Sequence, residues 1–277
     1  SHVVSAVDLA LWDILGKATG QPVWRLLGGA RSEVPLYVTF GFGSLDRDQL
    51  GEAATYLKAD GVTRFKMVVG HHALSRRTHH RDVHAQVLED VERVRVVREA
   101  IGDECELYVD ANCSLDPTWA RFFEEPVRDN DVARMRDLRE QTGMPLAAGQ
   151  NEGQLFRFRD LLVGGAVDVI QPNVVICGGF TAGLKIAGMA QAHNVEIANG
   201  GAFPFHNMHL HAGLAHGGLV EWHLISVEMC KELYTGLPDR TGSMLKLPET
   251  PGLGFTAIPE ALRDFANRPT SRGGGKG

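Results

Sequence analysis

Leu107-Tyr-Val-Asp-Ala-Asn112 and Arg121-Phe-Phe-Glu-Glu-Pro126, followed by Ala147-Ala-Gly-Gln150, decide how this chain folds. Each is a short apolar run that stops abruptly at a polar residue, the way a buried parallel strand delivers a side chain to the mouth of an α/β barrel. Asp110, Glu124 and Gln150 then stand at three successive strand ends. Oxygen-bearing side chains so placed form a cage for a hard divalent cation, and here the third is an amide where an acid is expected.

Outward from these segments, strand-like runs alternate with helical patterns, which argues for βα units and a parallel sheet. The strands are expected at 34–40, 64–69, 107–111, 121–124, 145–148, 167–171, 195–198 and 218–222, enough to close a barrel. Helical patterns fall near 46–59, 83–101, 130–141, 154–164, 179–193 and 205–215. Between the third and fourth strands only residues 112–120 are available, which is too short for a crossover with its helix. That shortness predicts residues missing from the sequence near 119–121.

Composition sets the class. With 277 residues, 44% hydrophobic and 22% charged, the chain can build one large core. A net charge of −6 without a basic run gives no footprint for nucleic acid, and no apolar stretch reaches the roughly 18 residues of a membrane span. Cys105, Cys113, Cys177 and Cys230 are scattered, so neither a zinc site nor a disulfide framework is expected, and a cytoplasmic location is the default. No signal peptide is visible at Ser1, and residues 6–17 read as an amphipathic helix with Val7, Leu9, Ala10, Leu11, Ile14 and Leu15 on one broad face. Residues 272–277 read as a flexible Gly-rich tail.

The stretch Ala6-Val-Asp-Leu-Ala-Leu-Trp-Asp-Ile-Leu-Gly-Lys-Ala-Thr-Gly-Gln-Pro-Val-Trp-Arg-Leu-Leu-Gly-Gly29 resembles the signature helix of the mandelate racemase/muconate lactonizing group of the enolase superfamily. Asp110-Ala-Asn112, Phe123-Glu-Glu-Pro126, Ala148-Gly-Gln-Asn-Glu152, Ile170-Gln-Pro-Asn173, Gly178-Gly179 and Val220-Glu-Trp222 follow in that family's order. The resemblance implies a modified (β/α) TIM barrel at 31–225, entered through a signature helix at 1–30. A C-terminal segment at 226–277 would pack back toward an N-terminal α+β capping domain, most of which is absent from this sequence.

It also implies chemistry: removal of a proton α to a carboxylate, with Mg²⁺ and hydrogen-bond donors stabilising the enediolate. Asp110 and Glu124 match the first two metal ligands. Gln150 stands where the family has Glu or Asp, with Glu152 as a nearby alternative. The Lys-x-Lys of the second strand is here Lys66-Met-Val68, so Lys66 is kept as a catalytic candidate and the second lysine is lost. The usual Asp–His pair becomes Asn173 and a glycine near 200, leaving His206 as the substitute base, with His209 and His211 expected in packing roles. Glu221 matches an acid that serves as electrophile or substrate contact. The histidines at 71, 72, 79, 80 and 84 read as a solvated loop rather than a second metal site.

The resemblance implies an acid-sugar dehydratase acting on a small carboxylate or hydroxy-acid, and a homo-oligomer as is common in the family. The alternatives are racemisation or epimerisation, and a catalytically impaired relative that binds a carboxylate.

Overall fold

The computed structural model describes residues 1–69, 83–110 and 123–268. The expected gap near 119–121, the histidine-rich loop with the side chain of His84, and the Gly-rich tail lie outside the described residues.

The chain begins with helices α1 (His2–Thr19) and α2 (Val23–Leu26). Parallel strands then follow in order: β1 (Glu33–Phe40), β2 (Arg64–Val68), β3 (Glu106–Asp110), β4 (Phe123–Glu124), β5 (Leu146–Ala148), β6 (Val169–Ile170), β7 (Glu196–Ile197) and β8 (Val220–His223). Between and after them run α3 (Arg47–Ala59), α4 (Val83–Ile101), α5 (Val132–Thr142), α6 (Leu155–Val163), α7 (Gly179–Ala192), α8 (Pro204–Gly213) and α9 (Leu224–Leu233). Every strand and helix expected from the apolar periodicity is therefore present. The start of α3 shows why: Asp46 accepts from Gln49 N at 2.9 Å while the Gln49 side chain accepts from Asp46 N at 3.0 Å, a reciprocal cap.

Each strand pairs with the next from β1 to β7, and β8 returns to β1 with Tyr37 opposite Glu221 and Thr39 opposite His223. The remaining seam, between β7 and β8, is held differently. Asn199 N donates to Leu219 O at 2.8 Å, and the Asn199 side chain accepts from Glu221 N at 3.1 Å. Gly218 permits this approach, since a β-carbon there would lie 1.7 Å from Ile197 O, while Gly217 permits close packing on α8, where a β-carbon would lie 2.0 Å from His211 O. The Gly218 N–H in turn donates to His211 Nδ1 at 3.1 Å.

Side chains alternate across each strand, so one set faces the helices and the other fills the barrel. Leu36, Val38, Phe40, Phe65, Met67, Leu107 and Val109 belong to the core between strands and helices. Tyr37, Tyr108, Ala147, Val169 and Ala198 form a second cluster inside the barrel, where the two tyrosine rings meet edge to face at 5.7 Å. That cluster is the floor beneath the polar strand ends.

The C-terminal residues add β9 (Tyr234–Thr235), β10 (Arg240–Thr241), β11 (Met244–Lys246), β12 (Thr256–Ala257) and α10 (Pro259–Asn267). β11 runs antiparallel to the start of β1. Residues 248–253 fasten to the first helices: Trp24 Nε1 donates to Pro248 O at 2.9 Å, and Leu253 N donates to Asp13 Oδ1 at 2.8 Å. Helix α1 departs from the expected broad apolar face. It buries Ser5, Leu9 and Gly16, whereas Val7, Leu11, Ile14 and Leu15 are exposed. Small residues let its neighbours come close; a β-carbon on Gly16 would stand 2.7 Å from Gly252 Cα. Among the described residues no helix is long and apolar enough to cross a membrane.

Two predictions follow from this packing. Gly218→Ala forces β8 off β7, so it should cost about 3 kcal/mol or more and lower the melting midpoint by roughly 10 °C, measured by circular dichroism. The second concerns α8, whose His206, His209 and His211 are all buried. Burial lowers them to about 4, about 3 and about 3 respectively, from the ordinary 6.5. Between pH 6.5 and 4 the unfolded chain takes up protons that the native chain refuses, so stability falls as the pH falls. Each histidine should contribute about 1 kcal/mol per pH unit in that window. Urea melts at pH 7 and pH 5 would show it, and His206→Phe, which replaces one ring by another, should make the decline shallower.

Candidate active site

The centre of the site is Lys66, near the end of β2 on its inward face. Its Nζ lies 2.8 Å from Glu124 Oε2, 2.8 Å from Glu221 Oε1 and 3.3 Å from Asp110 Oδ2. Strand register brings them together: Asp110 sits opposite Val68 on one side and Glu124 on the other, and Glu221 arrives through β8 against β1. All four are buried, Lys66 at 1% exposure and Glu124 at 0%. The ammonium also lies 5.3 Å from the centre of the Tyr37 ring.

A single ammonium against three carboxylates leaves an excess of negative charge in a buried setting. Burial opposes the charge on Lys66, but Glu124, Glu221 and Asp110 outweigh it and hold the amine well above its ordinary range. Burial also works against Glu221, yet Lys66 keeps its carboxyl below the usual value. Glu124 bears the remainder: burial raises it to about 8 despite the bond to Lys66. Its Oε2 accepts from Lys66 and from Gln171 Nε2 at 3.1 Å, while its Oε1 has no partner among the described residues.

Glu221 is tied on both oxygens. Thr39 Oγ1 donates to Oε1 at 2.6 Å, and Ala202 N donates to Oε2 at 2.6 Å. The second bond holds the loop after β7, where Ala202 and Phe203 both adopt positive φ, a costly conformation for residues with a β-carbon. Glu221 thus fixes Lys66 and the loop together.

Gln150 is placed beside this group, on the loop after β5. Its Nε2 donates to Glu125 Oε2 at 3.1 Å, and Glu125 is itself gripped by Asn151 at 2.8 Å and Asn130 at 3.0 Å. With its amino end so engaged, the Gln150 carbonyl oxygen faces the β7 loop, 3.0 Å from where a β-carbon on Gly200 would stand. Glu152, the alternative acid, is turned away into an ion pair with Arg157 at 3.1 Å and does not join the group.

The histidine expected at the β7 end has no room. A β-carbon on Gly200 would also lie 2.8 Å from Gln171 Nε2, so amides fill the space an imidazole needs. Asn173 is likewise a clamp, donating to Gly200 O at 2.9 Å and Gly201 O at 2.8 Å. His206, the substitute base, is not brought to the carboxylates. It packs among Phe203, Tyr234 and Phe255, with ring centres at 6.4, 5.8 and 5.0 Å, because the first turn of α8 points it toward the C-terminal segment. His209 reaches Leu253 O at 3.1 Å, a packing role like that of His211.

Thr39, Gln171 and His223 belong to the mouth but were not singled out from the sequence. Strand parity was the available signal: each lies two residues beyond an inward-facing Tyr37, Val169 or Glu221.

Comparison with known proteins agrees with this architecture. The family model described as "Enolase C-terminal domain-like" matches residues 49–261, and the mandelate racemase/muconate lactonizing enzyme N-terminal domain model matches residues 2–28. Arabinonate dehydratase of Saccharolobus solfataricus is 28% identical over 95% of this chain and 71% of its own length. L-Rhamnonate dehydratase of Saccharopolyspora erythraea is 31% identical over 94% of this chain and 67% of its own length. A mandelate racemase/muconate lactonizing enzyme from a marine actinobacterium, solved in complex with magnesium, superposes with a TM-score of 0.80. It is 30% identical and is matched over 95% of this chain and 74% of that one. With its barrel, its strand-end acids and these matches, the chain belongs to the mandelate racemase/muconate lactonizing enzyme group of the enolase superfamily.

Proposed function

We propose that this protein removes the proton α to the carboxylate of a sugar acid and expels the β-hydroxyl as water, yielding a 2-keto acid. The observation that carries this reading is the buried group of Lys66, Asp110, Glu124 and Glu221, whose excess negative charge and unpartnered Glu124 Oε1 suit a divalent cation. Asp110, Glu124 and Gln150 would hold Mg²⁺, a hard ion that takes oxygen donors. When bound, it supplies positive charge opposite the substrate carboxylate as the α-proton leaves.

In the net reaction the α-hydrogen and the β-hydroxyl leave as one water, and the chain's own residues stabilise the negative charge that develops between the two departures. Lys66 is a positive charge fixed before substrate arrives, so it costs no reorganisation when negative charge develops. Thr39 and Glu221 keep that ammonium in place, and Gln171 orients Glu124. Dehydration is favoured over racemisation because racemisation needs bases on both faces of the substrate. Here the two positions that supply them in the family are Val68 and the glycines at 200 and 201. The dehydratase relatives support the same reaction class.

Purified protein with Mg²⁺ and a panel of aldonic and aldaric acids should form 2-keto acid from at least one, and EDTA should abolish the activity. Binding by thermal shift without keto acid or solvent deuterium at Cα would make it a carboxylate-binding protein; deuterium without keto acid would indicate racemisation. His206→Phe should retain activity, since its ring stands apart from the carboxylates. By calorimetry, Gln150→Glu should tighten Mg²⁺ binding roughly tenfold or more, because a third anionic ligand adds direct attraction. Unchanged affinity would remove Gln150 from the cage.

A further inference from the structure

His223 ends β8 on the same inward face as Glu221, two residues earlier, and pairs in register with Thr39. Its ring is half-buried and tilts against Phe42 with centres 5.0 Å apart. The group is near enough to the buried quartet for the charges of Glu221, Lys66 and Asp110 to act on it. Its Nδ1 accepts from Ser226 N at 3.3 Å, which makes His223 the N-cap of α9.

That bond fixes the proton. A neutral imidazole that accepts at Nδ1 carries its hydrogen on Nε2, so the ring presents a donor from its far side. Burial lowers its proton affinity, partly offset by Glu221, and the positive end of α9 acts in the same direction as burial. Capping alone does not call for an imidazole, since Ser, Thr, Asp and Asn are the preferred residues there. With Nε2 already protonated, His223 is unsuited to be a base and suited to be an electrophile.

We propose that His223 donates its Nε2–H to the substrate oxygen on which negative charge collects as the α-proton leaves. The inference rests on the enediolate reading given above. It adds a second donor to Lys66, on the β8 side of the mouth, and makes the cap of α9 the device that sets the tautomer.

His223→Asn separates the two roles, because asparagine caps a helix well but is too short to place a donor where Nε2 stands. The melting midpoint should stay close to that of the wild type. In the Mg²⁺-loaded protein, with whichever aldonic or aldaric acid the wild type dehydrates, kcat should fall roughly 10- to 100-fold with KM little changed, the loss expected for one hydrogen bond to a charged group. Histidine ¹⁵N spectra at pH 7, assigned by the signal lost in His223→Asn, should show a neutral ring protonated at Nε2. A ring protonated at Nδ1, or at both nitrogens, overturns the proposal whatever the kinetics show. Wild-type turnover with an unimpaired His223→Asn variant overturns the His223 role alone. A wild type that turns over no acid overturns the enediolate reading, and this role with it.

Discussion

The ammonium of Lys66, held among three buried carboxylates, is the interaction on which the site depends. Asp110, Glu124 and Glu221 come from β3, β4 and β8, so their convergence requires the barrel to bring distant strands to one point. Without the central cation, these acids would face one another in a medium where like charges cannot all remain ionised. The excess charge that remains even with Lys66 in place is the same property that suits the cluster to a divalent ion. The electrostatic cost of the cluster and its proposed chemistry therefore share one origin.

The barrel seam supports this arrangement directly. Gly218 lets β8 approach β7, Asn199 bridges to Leu219 and Glu221, and Tyr37 beneath the ammonium donates to Asn199 O at 2.5 Å. Glu221 then holds Lys66 with one oxygen and the Ala202 backbone with the other. Closing the barrel and positioning the ammonium thus use the same few residues. Glu221 is the direct link between them, bonded to Asn199 through its backbone N–H and to Lys66 through its carboxylate.

Much of this was legible in the sequence because parallel strands buried on both faces leave unmistakable apolar runs. Asp110 and Glu124 stood out for the same reason, each being a charge that ends such a run. What pattern alone did not reveal was direction. His206 is only a few residues past β7, but one turn of α8 aims it at Tyr234 and Phe255 instead of the carboxylates. Helix α1 has the composition of a broad buried face, yet its observed contact runs through Ser5, Leu9 and Gly16. Sequence spacing fixes which side of an element a residue occupies, whereas partners far along the chain decide what that side meets.

The unusual residues at the strand ends are linked by packing as well as by charge. Gly200 has no side chain, and the space this leaves is bordered by the Gln150 and Gln171 amides, which an imidazole would strike. Asn173, lacking a carboxylate, donates to the carbonyls of Gly200 and Gly201, a bond that an ionised aspartate could not make. Restoring a histidine at 200 would therefore require the amides to move, and restoring an aspartate at 173 would take the Asn173 donor from Gly201 O and leave Gly200 O with Asn199 Nδ2 alone. Gln150, Asn173 and Gly200 form one mutually consistent solution on the β5–β7 side of the barrel. The buried charges gather instead around Lys66, Asp110, Glu124 and Glu221, and this asymmetry suits the proposed reaction, which acts on one face of its substrate.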